Sequence, residues 1–408
     1  MEYVRFGDLY SIPSSNGVSR PSAVRGEGYK MINMGELFSN DIIRDIPMER
    51  VKLSEKEKAK FLVKEGDLLF ARQSLVASGA GKCSIVKELN EETTFESHLI
   101  RVRLDNSIVN PWYYYYLFQL PYNPVKTIVN QCAQAGIRGT ELVKIKVPLP
   151  PMKVQNKVAE ALSTYDELIE NNNKRIAILE QMAENLYKEW FVNYRFAGHE
   201  NTLFENNIPV GWEKVTLDSI LSKIATGLNP RKNFVLGEGD NYYVTIKNMG
   251  DNNIYLDDKC DRVTDEAIRK INNRSDLRLG DLLFSGIGTI GRVYLINIPT
   301  DNWNISESVF TMRPNEKVSS EYLYLLLLSN DMQNYCQSNA NGAAQKGIRM
   351  ADLKKYAFWL APKPILDEFT NIVKPIIEQV DLIRKSNVNL IKQRDLLLPR
   401  LMSGKLEV

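Results

Sequence analysis

Histidine and cysteine are scarce in this sequence, with 2 histidines and 4 cysteines among 408 residues. A zinc site or a disulfide framework needs closely spaced ligands, so we expect structural thiols and no metal site. Catalysis by a histidine pair is not expected either, and we assign His98 to a strand and His199 to a linker. The cysteines stand singly, without a C-x-x-C pair, at Cys83, Cys132, Cys260 and Cys336.

Long apolar runs are also missing, and no stretch is long enough to span a bilayer. Residues 1–6 lack the basic region and apolar core of a secretory signal, so we expect a cytoplasmic protein. Strong charge of either sign is absent too. The net charge of +2 neither indicates nor excludes nucleic acid, because a local basic face decides DNA affinity. The length predicts two or three domains.

The sequence does contain an internal repeat of a little over two hundred residues. Gly-Asp-Leu-Leu-Phe at residues 66–70 recurs at 280–284, an offset of 214. Gln-Ala-Gly-Ile-Arg at 134–138 matches Gln-Lys-Gly-Ile-Arg at 345–349, an offset of 211. Leu-Pro-Pro at 149–151 matches Leu-Ala-Pro at 360–362 with the same offset. Two homologous halves follow, with insertions and deletions confined to loops.

Each half shows the pattern of a compact mixed domain. Short β-type runs at 67–71, 99–104 and 144–149 are separated by clusters of Gly, Asn, Ser and Pro. Residues 111–118 and their counterpart 320–327 are typical of a short buried helix, although the aromatic run at 111–118 could also form a strand.

A long heptad pattern follows each half and predicts two coiled-coil helices of about 36 residues, or about 54 Å. Because such a helix would leave its apolar seam in water, we expect the two helices to pair antiparallel. The fold class is therefore α+β, with target domains at 1–150 and 195–361 and helices at 151–194 and 362–408. The second seam equals the first plus 211. The first seam comprises Val158, Leu162, Tyr165, Ile169, Asn172, Ile176, Leu179, Ala183, Leu186 and Trp190.

Two seam asparagines offer a register for the helix pair. If the pairing reverses the seam about its middle, Asn172 lies opposite Asn387. A buried amide pair would then fix the register, as single seam asparagines often do. In the alternative interpretation, both amides lie at the edge of the seam and bond water.

A glycine-rich segment at 286–291 satisfies G-x-G-x-x-G, the pattern of dinucleotide sites. Such a site needs a helix that opens at the last glycine, yet residues 292–296 have the pattern of a strand. The first half has Ala-Arg-Gln-Ser-Leu at the matching place, residues 71–75. We therefore favour a glycine-rich hairpin or a DNA-facing loop, and keep an enzyme that binds a nucleotide or S-adenosylmethionine here as a minor alternative.

The order of these signals resembles the specificity subunit of type I restriction-modification enzymes. The resemblance covers almost the whole chain and rests on the duplicated Gly-Asp-Leu-Leu-Phe strand, the Leu-Pro-Pro boundary and the two long helices. It implies two target-recognition domains that each read one half of a split DNA site. It also implies that the helices set the spacer and dock two methyltransferase subunits, which motor endonuclease subunits can join. S-adenosylmethionine would be held by the partner, and this chain would be non-catalytic with no cofactor.

Loop residues with hydrogen-bond donors at matching positions are the candidates for DNA contact. Arg and Gln can make bidentate contacts to base edges, whereas Lys mostly neutralises phosphate. In the alternative interpretation, any one of these residues is a solvated loop residue that does not contact DNA. A coiled-coil scaffold whose domains bind proteins is the alternative function. The candidates are Ser19, Arg20, Arg25, Arg72, Gln73, Gln134 and Arg138 in the first half, and Asn229, Arg231, Lys232, Ser285, Thr289, Gln345, Lys346 and Arg349 in the second.

Overall fold

The computed structural model describes residues 2–21, 24–74, 79–130, 135–250, 252–342 and 346–406. The chain divides into two compact units. The first comprises Met1–Asn171 with Ser386–Val408, and the second comprises Asn172–Lys385. Each unit combines one half of the repeat with segments of both long helices. The predicted fold class is confirmed, while the predicted domain boundaries stay predictions.

In the first unit, one sheet has five strands in the order Tyr10–Asn16, Leu99–Leu104, Leu68–Ala71, Cys83–Val86 and Ile42–Ile43. Another has three strands in the order Glu49–Val51, Tyr29–Ile32 and Thr93–Phe95. The last two strands of each sheet pair in parallel. The helices are Met34–Ser39 (α1), Glu55–Phe61 (α2), Pro111–Gln119 (α3), Gly139–Leu142 (α4) and Met152–Tyr187 (α5), the last shared with the second unit. The strands are Tyr3–Arg5 (β1), Tyr10–Asn16 (β2), Tyr29–Ile32 (β3), Ile42–Ile43 (β4), Glu49–Val51 (β5), Leu68–Ala71 (β6), Gln73–Ser74 (β7), Cys83–Val86 (β8), Thr93–Phe95 (β9), Leu99–Leu104 (β10), Ala135–Gly136 (β11) and Lys146–Pro148 (β12).

The second unit repeats this arrangement. One sheet has four strands in the order Leu221–Thr226, Val309–Pro314, Leu282–Ser285 and Val293–Leu295, and another has three in the order Asp261–Val263, Asn241–Val244 and Trp303–Ile305. The last two strands of the three-stranded sheet pair in parallel, like β3 and β9. The helices are Asp265–Ser275 (α6), Ser320–Leu328 (α7), Asn330–Ser338 (α8), Met350–Leu353 (α9) and Lys363–Met402 (α10), the last shared with the first unit. The strands are Phe204–Glu205 (β13), Ile208–Pro209 (β14), Glu213–Thr216 (β15), Leu221–Thr226 (β16), Asn241–Val244 (β17), Met249–Gly250 (β18), Asn253–Ile254 (β19), Asp261–Val263 (β20), Leu282–Ser285 (β21), Val293–Leu295 (β22), Trp303–Ile305 (β23), Val309–Pro314 (β24) and Ala357–Leu360 (β25).

The aromatic run of the first unit is a helix, as predicted, and its N-terminus explains why. Asn110 accepts a hydrogen bond from the backbone N–H of Trp112 at 2.9 Å, and Pro111 occupies the first helical position. In α7, Ser319 accepts in the same way from the backbone N–H of Tyr322 at 3.1 Å. Both residues satisfy a donor that a helix start leaves open, which favours a helix over a strand.

The repeated Gly-Asp dipeptide forms the turn that leads into β6 and β21. Gly66 has a φ of 83° and Gly280 a φ of 85°, a left-handed conformation that favours glycine. The aspartate after each glycine folds back onto the turn. The Asp67 carboxylate accepts from the backbone N–H of Lys64 at 2.8 Å.

The same aspartates form buried ion pairs with arginines of the neighbouring strands. Asp67 accepts from Nε and Nη2 of Arg103, both at 2.7 Å. Asp281 accepts from Nε and Nη2 of Arg313 at 2.7 and 2.8 Å, and Asp276 also contacts Arg313. The hydrogen bonds that Arg313 donates to Asp281 raise the pKa of the Arg313 guanidinium. A bidentate pair satisfies both charges inside the sheet, so the motif holds the fold in each half.

The long helices match the predicted lengths, with 36 residues in α5 and 40 in α10. A π-helical turn at Lys188–Val192 continues α5. Within the second unit, Trp190 near the end of the first helix packs on Phe369 near the start of the second, with ring centroids 5.6 Å apart. Within the first unit, Asp166 accepts from Arg394 at 2.6 Å. Each contact joins a residue near one end of the first helix to a residue near the opposite end of the second helix, as an antiparallel pairing requires. The predicted register also places Trp190 opposite Phe369.

The proposed asparagine pair stays a prediction, because Asn172 belongs to the second unit and Asn387 to the first. Asn387 is buried, as its seam position requires. Among the helices of the described ranges, none is long and apolar enough to cross a membrane.

Candidate nucleic-acid interface

In the first unit, three chain segments meet where β6 ends. The backbone N–H of Arg72 donates to the carbonyl of His98 at 2.8 Å, and the carbonyl of Arg72 accepts from the N–H of Ile137 at 2.9 Å. Strands β7 and β11 pair beside this point, with Gln73 opposite Gly136. The backbone therefore places the predicted candidates Arg72, Gln73 and Arg138 close to one another.

The second unit uses the same backbone arrangement where β21 ends. The N–H of Gly286 donates to the carbonyl of Ser308 at 3.0 Å, and its carbonyl accepts from the N–H of Ile348 at 2.8 Å. Ile287 forms a bridge with Gly347, which corresponds to the pairing of β7 with β11. The two halves thus share one scaffold of hydrogen bonds but carry different side chains on it.

A cleft of about 660 Å³ opens on this scaffold in the first unit. Arg72 donates to the carbonyl of Ser97 at 3.3 Å, and Arg138 is exposed. Neither guanidinium forms an ion pair with a residue that the structure describes. Uncompensated cations and polar side chains in one concave surface suit a polyanion whose base edges also offer hydrogen bonds. The polar lining is Ser14, Ser15, Asn16, Arg72, Gln73, Asn130, Arg138 and Thr140.

Five of these lining residues were missed in the sequence analysis. Asn16 ends β2, and it reaches the cleft because β2 pairs with β10 and places Asn16 opposite Ile100. That pairing joins strands more than eighty residues apart, so local patterns do not reveal it. The sequence signal that could have located Asn16 is the glycine directly after each of the strands β2 and β16, at Gly17 and Gly227. The missed residues are Ser14, Ser15, Asn16, Asn130 and Thr140.

In the second unit, Thr289, Lys346 and Arg349 are exposed beside the equivalent scaffold. Ser285 is different, because its side chain is fully buried. Its hydroxyl donates to the carbonyl of Thr289 at 2.6 Å and accepts from the N–H of Arg292 at 2.8 Å. This correction replaces a DNA contact with a structural role: Ser285 holds the glycine-rich loop closed.

That loop is followed by a strand, where a dinucleotide site needs a helix. Within the described residues 286–295, the chain turns after Gly291 and continues as strand β22, as predicted. The prediction for His98 was wrong. This residue lies in the turn between β9 and β10, which a hydrogen bond from the N–H of Leu99 to the carbonyl of Glu96 closes at 3.1 Å. His199 lies in a short 3₁₀ helix, His199–Asn201, that follows α5.

The candidates Arg20 and Arg25 form ion pairs within the protein. Arg20 contacts Glu57 at 2.5 Å and Arg25 contacts Glu49 at 2.5 Å. A DNA phosphate would have to displace these carboxylates, because both arginines are already paired in the unbound protein. Ser19 is exposed on the same loop.

In the corresponding loop of the second unit, the cations are more accessible than Arg20 and Arg25. Arg231 and Lys232 are exposed and make no ion pair with the residues that the structure describes. Asn229 donates to Glu307 at 2.5 Å, and its amide oxygen is buried without a partner in the described ranges. Gln134 and Gln345 lie outside the described residues, and their predicted contacts stay predictions.

Groups of His, Cys, Asp and Glu that could hold a metal ion do not occur among the described residues. Cys83, Cys260 and Cys336 are buried as free thiols. Burial raises the pKa of Cys260 to about 11 and that of Cys336 to about 12, which keeps these thiols protonated.

Comparison with known proteins gives a consistent result. Residues 1–181 and 209–392 match the family described as Type I restriction modification DNA specificity domain. The chain is 26% identical to the type I restriction enzyme MjaIX specificity subunit of Methanocaldococcus jannaschii, over 72% of this chain and 69% of the relative. It is 24% identical to the MjaVIII specificity subunit of the same organism, over 100% and 93%. A crystal structure of the type I restriction-modification S subunit from M. genitalium has the same fold, with a TM-score of 0.58, 14% identity and coverage of 98% and 95%.

Proposed function

Since the chain belongs to the family of type I restriction modification DNA specificity domains, we propose that it is the subunit that selects the DNA sequence for a type I restriction-modification complex. The observation that carries this proposal is the duplicated scaffold with different side chains. Arg72 and Gln73 stand in one half where Gly286 and Ile287 stand in the other. A protein that reads two different half-sites needs this combination.

Each unit would read its half-site with the residues around its scaffold. In the first unit, Arg72, Gln73 and Arg138 offer bidentate donors for guanine and adenine edges. In the second, Arg349 can do the same, and Lys346 suits phosphate. Because the two sets differ, the two half-sites should differ in sequence.

The chemistry would belong to the partners. We infer that this chain is non-catalytic and that it recruits two methyltransferase subunits, with restriction subunits as possible further members of the complex. S-adenosylmethionine would bind to the methyltransferase and not to this chain. We propose that the complex acts in the cytoplasm.

The long helices would set the distance between the half-sites. One added heptad lengthens a helix by about 10 Å, which corresponds to about three base-pair steps. Adding one heptad to both helices should therefore lengthen the tolerated gap in the DNA site by about three base pairs. An unchanged gap in methylation maps would reject the spacer role.

The decisive experiment is to co-express the chain with the methyltransferase subunit of its own system and to map modified adenines on plasmid DNA by long-read sequencing. We expect methylation at two different half-sites around a fixed gap. Gln73→Ala should relax one half-site only, whereas Lys52→Ala, a change of an exposed cation outside the cleft, should alter neither. A stable complex without methylation would favour the alternative, a coiled-coil scaffold that binds proteins.

A further inference from the structure

In the first unit a groove of about 800 Å³ runs between the end of α3 and the last turns of α10. Tyr116, Leu398 and Met402 form its apolar floor, and all three are buried. Tyr122 stands at the edge with 96% of its surface exposed. An exposed aromatic ring beside an open apolar floor is typical of a surface that binds another protein.

The second unit has a groove of about 260 Å³ at the equivalent place, between the end of α7 and the last turns of α5. Residues of α7 follow those of α3 by 209 positions, and residues of α10 follow those of α5 by 211. Leu325 therefore stands where Tyr116 does, and Tyr187 stands where Leu398 does. The aromatic and the aliphatic side chain have exchanged places, and the floor remains apolar in both units.

Both grooves also contain more carboxylates than cations. This excess of negative charge repels the phosphate backbone of DNA and attracts a basic side chain. The charged lining is Asp41, Asp166, Asp395 and Arg394 in the first groove, and Glu184, Asp331 and Lys188 in the second.

The grooves and the DNA-facing scaffolds have diverged differently. On the scaffolds, Arg72 and Gln73 correspond to Gly286 and Ile287, so the chemistry differs between the halves. In the grooves, apolar floor and acidic rim occur in both halves although the residues themselves have changed. A surface that has the same chemistry in both halves fits two copies of one partner. A surface whose chemistry differs between the halves fits two different targets.

We propose that each groove docks one copy of the methyltransferase subunit, through an apolar segment of that subunit that carries a basic side chain. This inference rests on the proposed function and adds the location and the chemistry of the contact. Asp395 and Glu184 occupy equivalent positions on the rims of the two grooves, so they are the natural places to test it.

The experiment measures how many methyltransferase subunits the full chain binds, by native mass spectrometry and titration. Asp395→Lys and Glu184→Lys place a cation where the partner's cation would bind, and each should weaken one of the two binding events at least ten-fold. Each single variant should then retain one copy, and the double variant none. Glu160→Lys and Glu378→Lys make the same change at exposed positions of α5 and α10 outside the grooves, and both should retain two copies.

Tyr122→Ala and Val192→Ala supply a second pair that cannot disturb the core, because both side chains are exposed at the groove edges. Each should weaken one binding event as well. If all groove variants bind two copies as tightly as the wild-type chain, the docking inference is overturned while the proposed function stands. If the wild-type chain binds no methyltransferase subunit at all, the proposed function itself fails.

Discussion

Removal of the Asp67 carboxylate should loosen the central strand of the first unit. The Asp67 side chain is fully buried and is held by two hydrogen bonds from Arg103 at 2.7 Å. In Asp67→Ala, the guanidinium of Arg103 would keep only its hydrogen bond to the carbonyl of Leu62 among the described residues. Breaking a buried ion pair from one side costs about 3–5 kcal/mol, because the remaining charge is left without its partner.

The equivalent change in the second unit should cost less. Arg313 in Asp281→Ala would keep a contact to Asp276, whose Oδ2 lies 3.2 Å from Nη1 of Arg313. The Asp276 side chain is 36% exposed, so this remaining pair is worth about 0.2–1 kcal/mol. The two substitutions remove the equivalent aspartate of the repeated motif. They differ because Arg313 keeps a second carboxylate partner, Asp276, and Arg103 keeps none among the described residues.

Hydrogen exchange followed by mass spectrometry measures both effects locally, which suits a chain with two compact units. A loss of about 3–5 kcal/mol should speed exchange in Leu68–Ala71 by roughly 10²- to 10⁴-fold in Asp67→Ala. Exchange in Leu282–Ser285 should stay unchanged in that variant. Glu55→Ala, which removes an exposed pair with Lys58, is the control and should change neither. An increase of less than ten-fold in Asp67→Ala would refute the reasoning.

Three other changes test separate features. Glu57 accepts hydrogen bonds from the backbone N–H of Ser54, from Arg20 and from the Ser54 hydroxyl, and these lower its pKa from 4.5 to about 2. The contribution of Glu57 to stability is therefore present above pH 4.5 and is lost as the pH falls towards 2. Thermal melting should accordingly show Glu57→Gln as destabilising at neutral pH, with the difference from wild type vanishing in that acid range. Gly17→Ala would put a Cβ 1.9 Å from the carbonyl oxygen of Phe95, so its melting temperature should fall sharply, and an unchanged value would contradict the observed close approach. Arg138→Ala should weaken DNA binding by about 1–3 kcal/mol and relax the base preference at one position of the first half-site, and unchanged affinity and preference would exclude Arg138 from the interface.

The repeat and the long helices could be predicted from sequence because their signals are local and occur twice. Strand Leu99–Leu104 and the two aromatic helices lie where their patterns placed them. The parallel pairing of β3 with β9 left no such signal, because it joins segments about sixty residues apart. His98 was misplaced since the β-type pattern continues through the turn that the Glu96 carbonyl closes.

The candidate site could be predicted only in part. Repeated loops led to Arg72 and Arg138, but nothing in the repeat separates an exposed donor from a buried one. Ser285 stands at the end of a repeated strand and has a hydroxyl, yet the protein uses both of its hydrogen-bonding capacities. Asn16 contributes to the cleft through a strand pairing that local patterns do not show.

The two scaffolds share a backbone, but their side chains are not interchangeable. An arginine at Gly286, as the first unit has at Arg72, would place its Cβ 2.5 Å from the ring of Phe310. That ring is buried and stacks on Phe284, so it has little room to move. The first unit has Ile100 at the position of Phe310, opposite Phe70 in the sheet. The residue at this scaffold position is therefore coupled to the core residue beneath it. If Arg72 reads DNA as proposed, its specificity can move to the second unit only together with that core residue.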